Sequence, residues 1–184
     1  MKRFQNLILI PWLLFSSAAI APNFATAQEL SQGYFVKAPR LLSAATTFSG
    51  IRVRGAKYYF NIVIPEDAGN NLRQLAIAKR QGQENIDFRL AKTVAYLGTN
   101  RKKGEPLAIA NVAQNEQTRE VIVTFAKSIP PGTEFTVGLK PRRNPDYAGV
   151  YLFGVTAIPE GNDPTPLYLG AGRLHFYSGG HSRH

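Results

Sequence analysis

From about residue 46 onward, apolar and polar positions alternate along the chain with a period of two. Residues 57–64 place Tyr58, Phe60, Ile62 and Ile64 on one face, the spacing of a strand and not of a helix. Residues 65–71 are rich in Pro, Asp, Gly and Asn and predict a turn, after which Leu75 and Ile77 continue a short strand. Residues 86–90 alternate apolar and charged side chains, and 93–97 predict a further short strand. A basic turn at 100–104 precedes residues 107–112, which are expected to pair with 120–125, where Val121, Val123 and Phe125 share a face. A tight turn at 129–133 feeds Phe135, Val137 and Leu139, residues 141–145 break that strand, and 150–158 and 167–177 complete the pattern. Roughly eight or nine short strands with regular turn signals predict an all-β domain, an antiparallel β-sandwich of immunoglobulin-like or similar type. One local alternative is open: Asn70 is a cap-like residue and 70–80 contain good helix formers, so a short helix competes with a strand there.

The ends of the chain follow other patterns. Met1, Lys2 and Arg3 form a short basic stretch, residues 7–20 are largely apolar, and Ala25-Thr26-Ala27 is a small-x-small sequence. This is the three-part layout of a secretory signal peptide spanning residues 1–27. Pro22 and Asn23 end the apolar run too early for a membrane span, so no transmembrane segment is expected after cleavage. Residues 28–45 read as a weakly patterned lead-in, 46–177 as the β domain, and 178–184 as a disordered Gly/Ser/His tail.

Charge and cysteine content narrow the function. The chain has 184 residues, 22 Lys and Arg against 12 Asp and Glu, and no Cys. Loss of the leader removes Lys2 and Arg3 and no acid, leaving 20 basic residues against 12 acidic, a net +8. Such a surplus favours acidic partners, and export turns it away from nucleic acid towards acidic polysaccharide or another envelope protein. Without Cys there is no disulfide, no thiolate nucleophile and no lipid anchor through cysteine, so an exported domain must be held by its packed core.

Three stretches carry a family resemblance: residues 47–60 (TFSGIRVRGAKYYF), residues 141–145 (PRRNP) running into 147–155 (YAGVYLFGV), and 167–170 (LYLG) with 172–177 (GRLHFY). With Pro131-Gly132-Thr133, they resemble the cyanobacterial secreted family known as domain of unknown function 2808 (DUF2808). The resemblance spans about Thr46 to Tyr177 and implies export to a periplasm, cell surface or thylakoid lumen. It carries no activity and no catalytic residues.

The residues themselves offer little catalytic chemistry. No Gly-x-Ser-x-Gly and no phosphate-cradling loop is present. His181 and His184 lie in the Gly/Ser tail, an incomplete metal set, and His175 reads as a half-buried strand residue. Glu66-Asp67 and Glu160 to Asp163 lie in Pro/Gly turns without the ligand spacing of a calcium loop. No cofactor, metal site or enzymatic activity is therefore expected. A periplasmic metal carrier would need a His/Met/acid cluster, and the single Met leaves with the leader. An envelope hydrolase would need a converged acid and base. The positive signal is basic and aromatic. Arg52 and Arg54 alternate as on one strand face; Arg142 and Arg143 open a polar corner followed by Tyr147 and Tyr151. With His175, these seven residues form the candidate binding surface, because guanidinium forks pair with carboxylate or sulfate while aromatic rings stack on sugar faces. The competing structural reading of the corner has Pro145 setting the turn, Asn144 or Asp146 bonding backbone, and Tyr147 plugging the sandwich. The expected function is an exported, non-catalytic binding or structural module of the cell envelope.

Overall fold

The computed structural model describes residues 33–179; the leader and the tail histidines His181 and His184 lie outside the described residues. The domain is all-β. Its strands are β1 (Arg40–Thr46), β2 (Tyr58–Val63), β3 (Leu72–Gln81), β4 (Val94–Gly98), β5 (Lys103–Pro106), β6 (Ile109–Gln114), β7 (Val121–Ile129), β8 (Glu134–Leu139), β9 (Gly149–Pro159) and β10 (Leu167–Phe176). They form two five-stranded sheets, ordered β1-β2-β8-β4-β5 and β10-β9-β3-β7-β6, and every strand pairing is antiparallel.

The period-two rows become the inner faces. Tyr58, Phe60, Ile62 and Ile64 are all fully buried. They meet the alternating Tyr151, Phe153, Val155 and Ala157 of β9, also fully buried. Phe60 and Phe153 pack edge to face across the gap at 5.8 Å, and Tyr58 lies 5.8 Å from the same ring. On one side the sheets approach closely through their edges β1 and β10. A Cβ on Gly172 would stand 2.5 Å from that of Ala44, so this position accepts no side chain. On the other side Leu107 and Ala108 carry the chain from β5 to β6.

Two local expectations change, and the alternative left open at 70–80 resolves in favour of the strand. Residues 70–80 are not helical: β3 lies between β7 and β9 and hydrogen-bonds to both, and pairing on both sides overrides the helix-forming composition. The alternating residues 86–90 form no strand. They make an isolated bridge, Phe88 to Pro141, and enter a single 3₁₀ turn, Leu90–Lys92. The stretch read as a lead-in contributes β1, which pairs with β2 from Arg40 opposite Val63 to Thr46 opposite Tyr58.

The outer face of the first sheet is more covered than a solvent face. Asn61 donates to Thr136 Oγ1 (3.1 Å) and to the Phe135 carbonyl (3.2 Å), and the Thr136 hydroxyl donates to the Gly98 carbonyl (2.6 Å). Tyr59 and Tyr96 pack edge to face at 6.4 Å, with Lys103 Nζ 5.9 and 5.5 Å from their ring centres. Burial, together with the neighbouring Tyr59, pushes the Tyr96 phenol up to about 12 from 10.0, and burial also raises Tyr58. The folded chain thus keeps phenol protons that the unfolded chain releases. Its stability is expected to be intact below pH 10 and to fall as the pH rises from there to about 12. Thermal unfolding followed alongside phenolate absorbance checks this; a flat stability across that window would contradict it.

Candidate functional site

One end of the sandwich is built from three loops: residues 50–56 before β2, 82–89 after β3, and 140–148 between β8 and β9. Main-chain hydrogen bonds lace them together. Arg52 N–H donates to the Pro145 carbonyl (2.9 Å) and Asn144 N–H to that of Val53 (2.8 Å). Arg142 N–H donates to the Asp87 carbonyl and Arg89 N–H to that of Lys140, both at 2.8 Å. The C-terminal end of β10 joins through Ile51 N–H to the Tyr177 carbonyl (3.1 Å) and Tyr177 N–H to that of Ser49 (2.8 Å).

Asn144 is the hub. It is 1% exposed. Its amide donates to the carbonyls of Phe48 (2.8 Å) and Gly50 (2.7 Å), and its Oδ1 accepts the Tyr58 hydroxyl at 3.0 Å. A buried amide with these bonds fixes the loops relative to the core. Glu84 completes the lacing: one carboxylate oxygen accepts the N–H groups of Asp146 and Tyr147.

The arginines lie on this frame. A pocket of about 400 Å³ is lined by Arg54, Arg89, Arg142 and Arg143, with Glu84 and Asp87 among the other walls. The acids are already engaged. Glu84 caps the two backbone amides, and Asp87 pairs with Arg119. Asp146, beside the pocket, takes Arg143 (2.6 Å) and Arg52 (3.3 Å). Among the described residues Arg54, Arg89 and Arg142 enter no ion pair. These three guanidinium groups outnumber the one carboxylate in the lining that no cation pairs, Glu84, and focus positive potential there; each presents a planar fork that matches carboxylate or sulfate.

Three of the residues singled out from the sequence, Arg54, Arg142 and Arg143, thus come together. The others do not line this pocket. Arg52 and Arg54 share no strand face, because residues 51–55 form a turn in which Arg52 has φ of 57°; Arg52 is held instead on Asp146. Tyr151 is no surface residue: it is fully buried, donates its hydroxyl to the Tyr147 carbonyl (3.2 Å), and packs edge to face on Phe176 at 5.4 Å. Tyr147 is 57% exposed and plugs nothing; Asn144 fills the corner. His175 is half-buried on β10 and stacks on Tyr177 at 6.2 Å. Arg89 is the residue that sequence patterning misses, because 86–90 reads as a strand and its approach to Arg54 and Arg142 is set by the loop lacing.

Elsewhere two of the turn acids, Asp67 and Glu160, are occupied. Lys37 donates to Asp67 at 2.8 Å and holds its carboxyl below the usual range, and Glu160 accepts from the Asn71 amide at 3.0 Å. Among the described residues no three His, Asp or Glu side chains converge as a metal site would require, and no helix is long and apolar enough to cross a membrane.

Comparison with solved structures finds similar chain courses at low identity. The C-terminal domain of the Streptococcus pyogenes antigen I/II-family protein AspA is 16% identical with a TM-score of 0.42, over 73% of this chain and 46% of that one. The bacterial hydrophobin BslA is 16% identical with a TM-score of 0.41, over 77% and 98% of the two chains. The collagen-binding domain from a Staphylococcus aureus adhesin is 9% identical with a TM-score of 0.35, over 66% and 87%. The chain thus spans less than half of the streptococcal structure. No curated protein matches the sequence. The family described as "Protein of unknown function (DUF2808)" matches residues 32–176, which take in every strand and all three loops of the arginine-bearing end, and the chain belongs to that family.

Proposed function

We propose that this chain is an exported, non-catalytic binding module of the cell envelope, and that its arginine-lined end grips an acidic polysaccharide. The observation that carries this reading is the convergence of Arg54, Arg89, Arg142 and Arg143 from three loops onto one pocket whose acids are already engaged. A general basic surface needs no such convergence. Exposed ion pairs are individually weak, so affinity comes from several guanidinium groups acting on neighbouring acidic units of one chain. The leader-like residues 1–27 supply the route to the envelope.

Retention on immobilised polygalacturonate tests the site. Replacing Arg54 and Arg142 together by Ala is expected to weaken binding about tenfold, the sum of two exposed charge-assisted contacts. The control removes the same charge from the far end, Arg40→Ala with Lys127→Ala, and is expected to change retention little. Equal loss from both pairs would show attraction to net charge alone and would remove the site assignment.

A further inference from the structure

We propose that a groove over the outer face of the first sheet continues the arginine-lined pocket and seats the sugar rings of the same acidic polysaccharide chain, an inference that rests on the function proposed above. The groove has a volume of about 470 Å³ and is lined by Lys57, Thr93, Val94, Tyr96, Lys103 and Leu107, among others. Two short connections join it to the pocket. Arg54 lines the pocket, and Lys57, three residues on, lines the groove. Arg89 lines the pocket and Thr93 the groove, separated by the single 3₁₀ turn Leu90–Lys92. At the rise of such a turn the step is about 8 Å. A chain leaving the arginines therefore meets the groove within a few sugar units.

The groove's chemistry differs from that of the pocket. Tyr96 is 6% exposed, and neither its hydroxyl nor Thr93 Oγ1 has a hydrogen-bond partner among the described residues. Both oxygens are enclosed, so these two residues shape the groove wall and do not offer it their hydroxyls. Val94 and Leu107 provide apolar surface for a pyranose C–H face, and Lys57 and Lys103 provide cations for the acid groups. An acidic peptide would satisfy the lysines but would bring no pyranose face to Val94 and Leu107.

Binding of a galacturonic acid disaccharide and decasaccharide to the full chain separates the possibilities. The decasaccharide is expected to bind at least about tenfold more tightly than the disaccharide. Val94→Glu places a carboxylate in the groove at a position already 37% exposed. It is expected to weaken the decasaccharide about tenfold and leave the disaccharide unchanged. Lys103→Ser should act in the same direction, and thermal unfolding of both variants reports that the fold is intact. Arg142→Ala should weaken both ligands. If Val94→Glu and Lys103→Ser leave the decasaccharide unaffected, or if the wild-type chain binds both lengths equally, the groove is not part of the site while the arginine pocket stands. If Arg142→Ala changes neither ligand, the polysaccharide reading itself fails and this inference falls with it. Polyglutamate bound as tightly as the decasaccharide, and weakened equally by Val94→Glu, would overturn the sugar assignment.

Discussion

Asn144→Leu is expected to cost at least about 2 kcal/mol of folding stability, because the Tyr58 hydroxyl and the Gly50 carbonyl lose the amide and each costs about 1–3 kcal/mol when left unpaired. The third bond, to the Phe48 carbonyl, matters less, because that oxygen also accepts the Thr46 hydroxyl at 3.0 Å. Leucine keeps the branched outline of asparagine, but its methyl groups are larger, so some overpacking adds to the lost hydrogen bonds. The loops carrying Arg54, Arg142 and Arg143 should loosen together, and anion binding should fall with stability. Tyr58→Phe removes one of the three bonds and should cost about 1 kcal/mol. Its effect should be largely absorbed in the double variant, since both substitutions break the same bond. Urea unfolding of the two single variants and the double measures this. A loss below about 1 kcal/mol for Asn144→Leu would mean that water replaces the amide and that the hub does not hold the corner.

Phe153→Ala is expected to destabilise the domain by about 3–5 kcal/mol, the usual range for deleting a buried aromatic ring. Phe153 is fully buried and contacts three rings, Tyr58 and Phe60 at 5.8 Å and Phe88 at 6.4 Å. Each such pair adds about 0.5–1.5 kcal/mol beyond its buried area. No disulfide compensates, because the chain has no Cys. Against a typical total of about 5–15 kcal/mol, this one change removes a large share. Phe48→Ala is the contrast: that ring is 52% exposed, and its loss should fall within about 0.5 kcal/mol of neutral. A small effect at Phe153 would show that the core collapses around the missing ring.

The core rows are legible in the sequence because burial repeats every second residue. Tyr58, Phe60 and Ile62 in β2, and Tyr151, Phe153 and Val155 in β9, show that period without help from any neighbour. Local pattern serves less well where tertiary pairing decides. The helix formers of β3 are strand residues because β7 and β9 flank them. Arg52-Val53-Arg54 alternates like a strand, yet Gly50 and Gly55 bracket it, and that bracket is the turn signal with the greater weight. Arg142 and Arg143 stand out as a pair in the chain, whereas Arg89 becomes their neighbour only through the main-chain bonds from Asp87 and Lys140. Tyr151 looks like a surface aromatic beside Tyr147, but it follows Gly149 at an inward strand position and is enclosed.

The pairing of Ser49–Ile51 with Tyr177 also sets how the domain carries load. The Gly50–Tyr177 bridge is parallel, so the segment that continues from β1 runs in the same direction as the end of β10, side by side. Tension that reaches Ser49–Ile51 through β1 and Tyr177 from beyond β10 therefore pulls the two courses lengthwise past each other. The hydrogen bonds from Ile51 and Tyr177 must then break together in shear, not one at a time as in a zipper. A domain strung between two attachments in this way resists extension along its axis, and its arginine-bearing end lies beside the bonds that take the strain.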